Sequence, residues 1–154
     1  TKCRTKKLRL RGADGYDSVP LAAAAFPHTP ASSVQHLAQR YGGEARAVMS
    51  LIENDPTLSE PLVEGLPYLR AEAVFAARYE MALSVDDVLS RRTRARLWGR
   101  DAAAAAADEV AALIGPELGW SAEQAAASVE EFRDLCEHER TAAELPHTVT
   151  AARS

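Results

Sequence analysis

The sequence of 154 residues contains only two cysteines, Cys3 and Cys136, which lie far apart and outside any C-x-x-C pair. So few thiols exclude a disulfide scaffold and give no indication of a zinc site. The four histidines show no H-E-x-x-H or other ligand spacing, and Cys136 and His138, two residues apart on a helix, point to different sides. We therefore predict no metal site and no Cys-His catalytic pair in this chain.

Long apolar runs are missing as well. Leu21–Phe26 and Ala102–Ala107 are short and dominated by alanine, whereas a membrane-spanning helix needs about 20 apolar residues. No signal peptide is recognisable, so we expect a reducing, cytoplasmic setting. Because the chain starts at Thr1 rather than at a methionine, we expect it to be a fragment of a longer protein.

The glycine-rich and serine motifs of common catalytic sites are absent from the sequence. There is no G-x-S-x-G, no P-loop and no G-x-G-x-x-G, and the only adjacent glycines, Gly42 and Gly43, fit the end of a helix better than a phosphate cradle. Glu72 and Glu80 would need a cleft and substrate-positioning residues to do acid-base or metal chemistry, and the sequence indicates neither. We predict no catalytic and no cofactor-binding residue.

Charge is distributed unevenly along the chain. After Arg11 there are 12 basic and 22 acidic residues, so the body is about ten charges negative. A basic cluster suggests nucleic acid or an anionic membrane, but no aromatic residue interrupts it, and Leu8 and Leu10 alternate with arginines as in a short half-exposed strand. We therefore predict no nucleic-acid partner. The first eleven residues contain no acid and six basic residues, Lys2, Arg4, Lys6, Lys7, Arg9 and Arg11.

The apolar spacing predicts an all-α protein, a compact bundle of five or six helices with an extended basic N-terminal segment. A first helix after Pro30 ends at Gly42-Gly43, and a second runs from Glu44 to Asn54, where Asp55-Pro56 stops it. Residues 57–67 predict an ordered loop that covers the core. An alanine-rich helix follows from Asp101 to Ile114, ended by Gly115-Pro116.

The clearest helical pattern starts at Ser121. Ser121 and Gln124 have the spacing of a capping box. Behind them a stripe of apolar residues with spacings of three and four indicates packing against other helices of a bundle. The stripe consists of Ala122, Ala125, Val129, Phe132 and Cys136.

The centre of the chain, Glu72–Thr93, places carboxylates inside an apolar helical pattern. Ser84 followed by Asp87 is close to a capping box, which predicts a helix break at Leu83 and Ser84 and a new helix from Val85. Charged side chains are seldom buried without a partner. We therefore predict a partly buried structural ion-pair network across the break, made of Glu72, Glu80, Asp86, Asp87, Arg91 and Arg92.

This stretch resembles the C-terminal helical domain of FAD-dependent, quinone-linked glycerol-3-phosphate dehydrogenases. Weaker similarity extends upstream to three short runs, and Phe75 stands where a tyrosine is usual in that family. The main resemblance rests on Glu72, Phe75, Glu80, Ala82, Asp86, Asp87, Leu89 and Arg91-Arg92-Thr93. The weaker similarity involves His36-Leu37, Arg40-Tyr41-Gly42 and Leu66-Pro67-Tyr68, while Thr5, Leu8, Leu10 and Gly12 resemble the exit from the family's flavin-binding part.

The resemblance implies an accessory role. Residues 1–29 would be an extended segment and linker from a preceding flavin-binding domain, 30–145 the helical C-terminal domain and 146–154 a frayed tail. The full-length enzyme would bind FAD, oxidise glycerol 3-phosphate to dihydroxyacetone phosphate and pass electrons to quinone, while the isolated chain would be inactive. Its partner would be the flavin-binding part of the same polypeptide, with a membrane surface or a second subunit as further candidates. The alternative is a free-standing helical interaction module.

Overall fold

The computed structural model describes residues 5–8, 10 and 12–142. In these residues the structure has eight α-helices, several 3-10 turns and one π-helical segment, with no strand beyond an isolated antiparallel bridge between Pro61 and Leu69. The prediction of an all-α protein is confirmed. The described residues up to Ser59 form one compact unit, and those from Glu60 onward form a second.

The extended basic N-terminal segment is not confirmed. Thr5–Lys7 form a 3-10 turn, and Leu8 and Leu10 are exposed without being part of a strand. Lys2, Arg4, Arg9 and Arg11 lie outside the described residues, as does the predicted frayed tail, 146–154.

The first unit contains α1 (Val19–Ala22), α2 (Ala31–Tyr41) and α3 (Ala45–Asn54). A 3-10 turn over Gly42–Glu44 joins α2 to α3, and α3 ends just before Asp55-Pro56, as predicted. The core includes six side chains from the three helices that have no solvent exposure, Val19, Leu37, Ala45, Val48, Met49 and Ile52.

The glycine pair between α2 and α3 does more than end a helix. The Gly43 N–H donates a hydrogen bond of 2.7 Å to the Gly12 carbonyl, so the chain entering the unit crosses directly over the turn. A Cβ atom on Gly43 would lie 1.8 Å from the Asp14 carbonyl oxygen, and one on Gly42 would lie 2.0 Å from that of Gly12. Only glycine permits two backbones to approach this closely.

The second unit contains the remaining five helices and a buried loop. Residues 60–70 fold back on themselves through hydrogen bonds from Leu62 N–H to Tyr68 O and from Arg70 N–H to Glu60 O. Leu62 and Tyr68 are buried in the core, as expected for a loop that covers it. The helices are α4 (Arg70–Tyr79), α5 (Ala95–Trp98), α6 (Arg100–Ala105), α7 (Ala107–Leu118) and α8 (Ala122–Ala142), with the π-helical segment Asp87–Arg92 between α4 and α5.

Two predicted boundaries in the alanine-rich region are wrong. The predicted single helix is divided at Ala106, where the Arg133 guanidinium donates to the nearby Ala104 carbonyl. The second helix continues through Pro116 to Leu118 and ends at Gly119, which has a φ of 67°. Proline removes one N–H in the last turn, whereas the left-handed conformation that ends a helix favours glycine.

Candidate functional site

The residues predicted to form the site lie on α4, the π-helical segment and the connection between them. Glu72 occupies the third position of α4 and has no solvent exposure. Its carboxylate accepts a hydrogen bond of 2.8 Å from the Leu69 N–H, a backbone donor that the helix leaves unpaired at its start. The buried charge of Glu72 thus stabilises the N-terminus of α4, where a carboxylate is favoured by the helix dipole.

The C-terminal end of α4 is held by Arg92. Its Nε and Nη2 atoms donate to the Glu80 carbonyl oxygen at 2.9 and 2.6 Å, so one guanidinium binds a carbonyl that the helix no longer uses. Met81 follows with a φ of 58°, and the Ala82 N–H returns to the Ala76 carbonyl at 3.0 Å. Arg92 therefore joins the two helical segments across the break through the Glu80 backbone.

The predicted helix break is confirmed by its hydrogen bonds. The Ser84 hydroxyl accepts from the Asp87 N–H at 3.0 Å, and the Asp87 carboxylate accepts from the Leu83 N–H at 2.9 Å. The Val85 N–H donates to the Ser128 hydroxyl of α8 at 3.0 Å. The Ser84 half of the capping box is formed, whereas the Asp87 side chain accepts from Leu83, the residue before the cap. The new segment is joined to α8 at its first residue, Val85.

The third part of the predicted network is a surface cluster. Arg91 Nη1 lies 2.6 Å from the Asp86 carboxylate and 2.7 Å from that of Asp87, with 58% of the Arg91 side chain exposed. The Ser90 hydroxyl also donates to Asp86. The structure thus brings Asp86, Asp87 and Arg91 together, and places Glu72 at the opposite end of α4 from the contact between Arg92 and Glu80.

The contribution of this cluster to the stability of the fold depends on pH through the Asp87 carboxyl group. Burial raises the pKa of its carboxyl group, but hydrogen bonds from the Leu83 N–H, Arg91 and Ser84 outweigh burial and lower the pKa below its ordinary value of 3.8. A carboxyl group whose pKa is lowered by folding stabilises the protein above the unfolded pKa, and this contribution is lost as the pH falls through the folded pKa.

We expect Asp87→Asn to lower the free energy of unfolding near pH 7, with a difference from the wild type that shrinks as the pH falls below about 4. Urea titrations monitored by circular dichroism between pH 3 and pH 7 would measure it. A difference that is constant over this range would contradict a stabilising role of the Asp87 charge.

The π-helical segment was not predicted from the sequence. It is held by Thr93, whose hydroxyl and N–H both donate to the Val88 carbonyl at 2.8 Å. Thr93 is buried, and Arg94 then leaves the segment with a φ of 59°. Short π-helical segments are frequent at functional positions of helices.

Two ion pairs that join α4 to α7 were also not predicted from the sequence. Arg78 binds Glu117 through two hydrogen bonds of 2.5 and 2.6 Å, and Arg70 contacts Glu109. The hydrogen bonds from Arg78 lower the pKa of Glu117. No local spacing could reveal these pairs because the partners are 39 residues apart in each case.

The arginines that follow α4 are shared between internal acids and solvent. Arg96 lies 3.4 Å from Glu139 on α8. Arg100, which is buried, lies 3.4 Å from Asp101. Arg94 is exposed. This division leaves few of these arginines for an anionic ligand.

A cleft of about 390 Å³ lies between α6 and α8. Its two arginines, Arg133 and Arg140, bind Asp108 and Asp101. Cys136 borders the cleft, but burial raises the pKa of its thiol to about 11, so the thiol is protonated and a poor nucleophile at neutral pH. Both arginines of this cleft are therefore already paired with acidic side chains of the domain.

Residues 5–8, 10 and 12–142 contain no group of three His, Cys, Asp or Glu side chains that could hold a metal ion. Nor does this part of the chain contain a helix with the length and apolar character that crossing a membrane requires.

Comparisons with known proteins identify relatives over almost the whole chain. A family model described as the C-terminal domain of alpha-glycerophosphate oxidase matches residues 3–125. The chain is 34% identical to glycerol-3-phosphate dehydrogenase 2 of Mycobacterium bovis and 36% identical to the glycerol-3-phosphate dehydrogenase of Mycobacterium leprae, each time over 96% of this chain and 26% of the relative. A glycerol-3-phosphate dehydrogenase of Synechocystis is 29% identical over 88% of this chain and 25% of the relative.

The chain therefore spans about a quarter of the length of the curated relatives it matches. No solved structure gives a significant match.

Proposed function

Because this chain belongs to the family of the C-terminal domain of alpha-glycerophosphate oxidase, we propose that it serves as the accessory helical domain of an FAD-dependent glycerol-3-phosphate dehydrogenase. The proposal rests on the extent of the alignment, because 96% of this chain aligns with only 26% of a glycerol-3-phosphate dehydrogenase. The resemblance inferred from the residues is confirmed, and a free-standing interaction module is not favoured.

The full-length enzyme would oxidise glycerol 3-phosphate to dihydroxyacetone phosphate with FAD and pass the electrons to quinone. FAD does not fit the described residues of this chain. Dinucleotides bind where a strand leads through a glycine-rich turn into a helix, and the described residues contain no such unit. The space beside the adjacent glycines, Gly42 and Gly43, is occupied by the crossing backbone of Gly12 and Asp14. FAD would therefore belong to the preceding part of the polypeptide.

The charged residues at the centre support a structural role. We assign this role to all six residues of the predicted network, because Glu72 and Arg92 bind the backbone at the two ends of α4. Arg91 binds both Asp86 and Asp87, and Asp87 also accepts from the nearby Leu83 backbone. Glu80, the sixth, offers its carbonyl to Arg92. An active-site acid would instead face a cleft with residues that position a substrate.

The domain limits and partners follow from the same proposal. Residues 1–29 would connect the flavin-binding domain to the helical domain, 30–145. The main partner is the flavin-binding part of the same polypeptide, and a second subunit or a membrane surface are further partners of the full-length enzyme. We place that enzyme in the cytoplasm, peripheral at the membrane, and propose no nucleic-acid partner.

The proposal is tested by comparing the 154-residue chain with the full-length protein. We expect the purified chain to be colourless and to show no dye reduction that depends on glycerol 3-phosphate, whereas the full-length protein should be yellow and active. Stoichiometric flavin retained by the isolated chain after dialysis would overturn the assignment of catalysis to the other part. A full-length protein without glycerol-3-phosphate-dependent activity would overturn the proposed function itself.

A further inference from the structure

Two turns with an unusual backbone conformation lie on either side of the π-helical segment. Met81, after α4, and Arg94, after the π-helical segment, have φ values of 58° and 59°. They are the two residues other than glycine with a positive φ in the described part of the chain. Such a conformation persists only where the surrounding contacts impose it. The contacts of the two turns therefore show what holds this part of the fold.

The turn at Met81 is enclosed by hydrogen bonds on both sides. The Glu80 and Ala82 N–H groups donate to the same carbonyl, that of Ala76, at 3.1 and 3.0 Å. The Glu80 carbonyl accepts from Arg92 Nε and Nη2 at 2.9 and 2.6 Å. Hydrogen bonds from a charged donor are about twice as strong as those between neutral groups. The Arg92 guanidinium is therefore a strong contact that holds this turn from outside α4.

The turn at Arg94 is bridged by the Thr93 hydroxyl. This hydroxyl donates to the Val88 carbonyl at 2.8 Å and accepts from the Ala95 N–H at 3.3 Å. Thr93 and Ala95 are both buried, so water cannot easily replace these hydrogen bonds if the hydroxyl is removed. Thr93 thus joins the last turn of the π-helical segment to the first residue of α5.

Thr93 also sets the register of the π-helical segment. Its N–H donates to the Val88 carbonyl, five residues earlier, at 2.8 Å, whereas an α-helix would bond the Arg92 N–H to that carbonyl. Each residue of an α-helix turns the chain by about 100°. Conversion of the segment to an α-helix would therefore rotate the side chains that follow and direct Arg92 away from the Glu80 carbonyl.

We propose that Arg92 and Thr93 form a latch, through which the C-terminal end of α4 and the start of α5 open and close as one unit. The unit comprises residues 80–82 and 87–95. Thr93 is a positioning residue, because it holds the register in which Arg92 reaches the Glu80 carbonyl. A displacement of α5 by a bound molecule would reach α4 through the latch, since both turns depend on the same two residues.

The neighbouring side chains have the features of a segment that opens at a lower free energy than the whole fold. Met81 is 79% exposed, and Leu97 and Trp98 of α5 are 68% and 66% exposed. Opening would expose little further apolar surface at these positions, and regions with few buried apolar contacts are those that open locally. The hydrogen bonds of the latch therefore contribute a large share of what keeps both turns closed.

Hydrogen exchange of the full-length protein, with mass spectrometry of peptides 76–83 and 91–98, tests the latch. Thr93→Val removes the hydroxyl and, through the register, the contact of Arg92 with Glu80. It should accelerate exchange about tenfold in both peptides, the effect of losing a hydrogen bond to a charged group. Arg92→Met removes the same contact and should do the same. The double variant should exchange little faster than either single variant.

Two control variants separate the latch from a general effect of substitution. Thr93→Ser keeps the hydroxyl and should leave exchange in peptide 76–83 close to that of the wild type. Thr141→Val removes a threonine hydroxyl that donates to the Glu137 carbonyl on α8, and it should change neither peptide.

Three results would overturn the proposal. Thr93→Val could accelerate peptide 91–98 alone, the double variant could show the product of the two single effects, or peptides of α8 could accelerate by the same factor. If Thr93→Val does not fold, Arg92→Lys decides alone. The latch then requires peptide 91–98 to accelerate together with 76–83, whereas independent turns would leave 91–98 unchanged.

Discussion

Gly43→Ala should destabilise the first unit by at least about 3 kcal/mol, at the upper end of the cost of over-packing. The added Cβ would lie 1.8 Å from the Asp14 carbonyl oxygen, and two backbones cannot yield as a flexible side chain would. Separating them also breaks the hydrogen bond from Gly43 N–H to Gly12 O and leaves polar groups unpaired. Urea unfolding monitored by far-UV circular dichroism, with hydrogen exchange of the α2 and α3 amides, would measure the loss.

Gly115→Ala on α7 is the matched control. Its Cβ would lie 3.6 Å from the Trp120 ring, an ordinary contact, and alanine is favoured over glycine inside a helix by up to about 1 kcal/mol. We expect this variant to be as stable as the wild type or slightly more so. If Gly43→Ala were as stable as Gly115→Ala, the crossing of residues 12–14 over the turn would be wrong.

The second large effect is expected at Phe132, whose side chain has no solvent exposure and lies in the core of the second unit. Phe132→Ala should lower the free energy of unfolding by about 3 to 5 kcal/mol, because it removes buried apolar surface and leaves a cavity. Urea unfolding followed by tryptophan fluorescence would measure this, since Trp98 and Trp120 both belong to this unit.

Leu135→Ala is the control for Phe132→Ala on the same helix, because it shortens a side chain that is partly exposed. Leu135 lies three residues after Phe132 and is 39% exposed, so we expect a loss of about 1 kcal/mol or less. The alternative, in which the α8 stripe binds another copy of the chain, predicts the reverse for Phe132→Ala. Stability would then be nearly unchanged, and a self-association detectable by sedimentation would disappear.

Boundaries made by short-range hydrogen bonds were predictable from the sequence. The capping box of α8 is formed, with Ser121 N–H donating to Gln124 and Gln124 N–H donating to the Ser121 hydroxyl. The Ser84 break and the Asp55-Pro56 stop follow for the same reason, since each partner lies within four residues. A capping residue or proline acts on the chain next to it.

Part of the apolar stripe on α8 was predictable in the same way. Val129, Phe132 and Cys136 are buried, because helical periodicity places them on one face. Ala122 is exposed and Ala125 is half-buried at the start of the same stripe. Periodicity identifies the face of a helix, and the extent of its burial depends on where the neighbouring helices lie.

The sequence by itself determined that the chain is all-α, where several helices end and which family it belongs to, because these depend on local spacing and residue type. Only the tertiary structure decided how the polar groups are used. It showed that Arg92 binds the Glu80 backbone, that Arg78 pairs with Glu117 across 39 residues, and that Gly43 accommodates the chain at Gly12. Such contacts join segments distant in sequence, and their partners are set by how the helices pack rather than by any pattern within one helix.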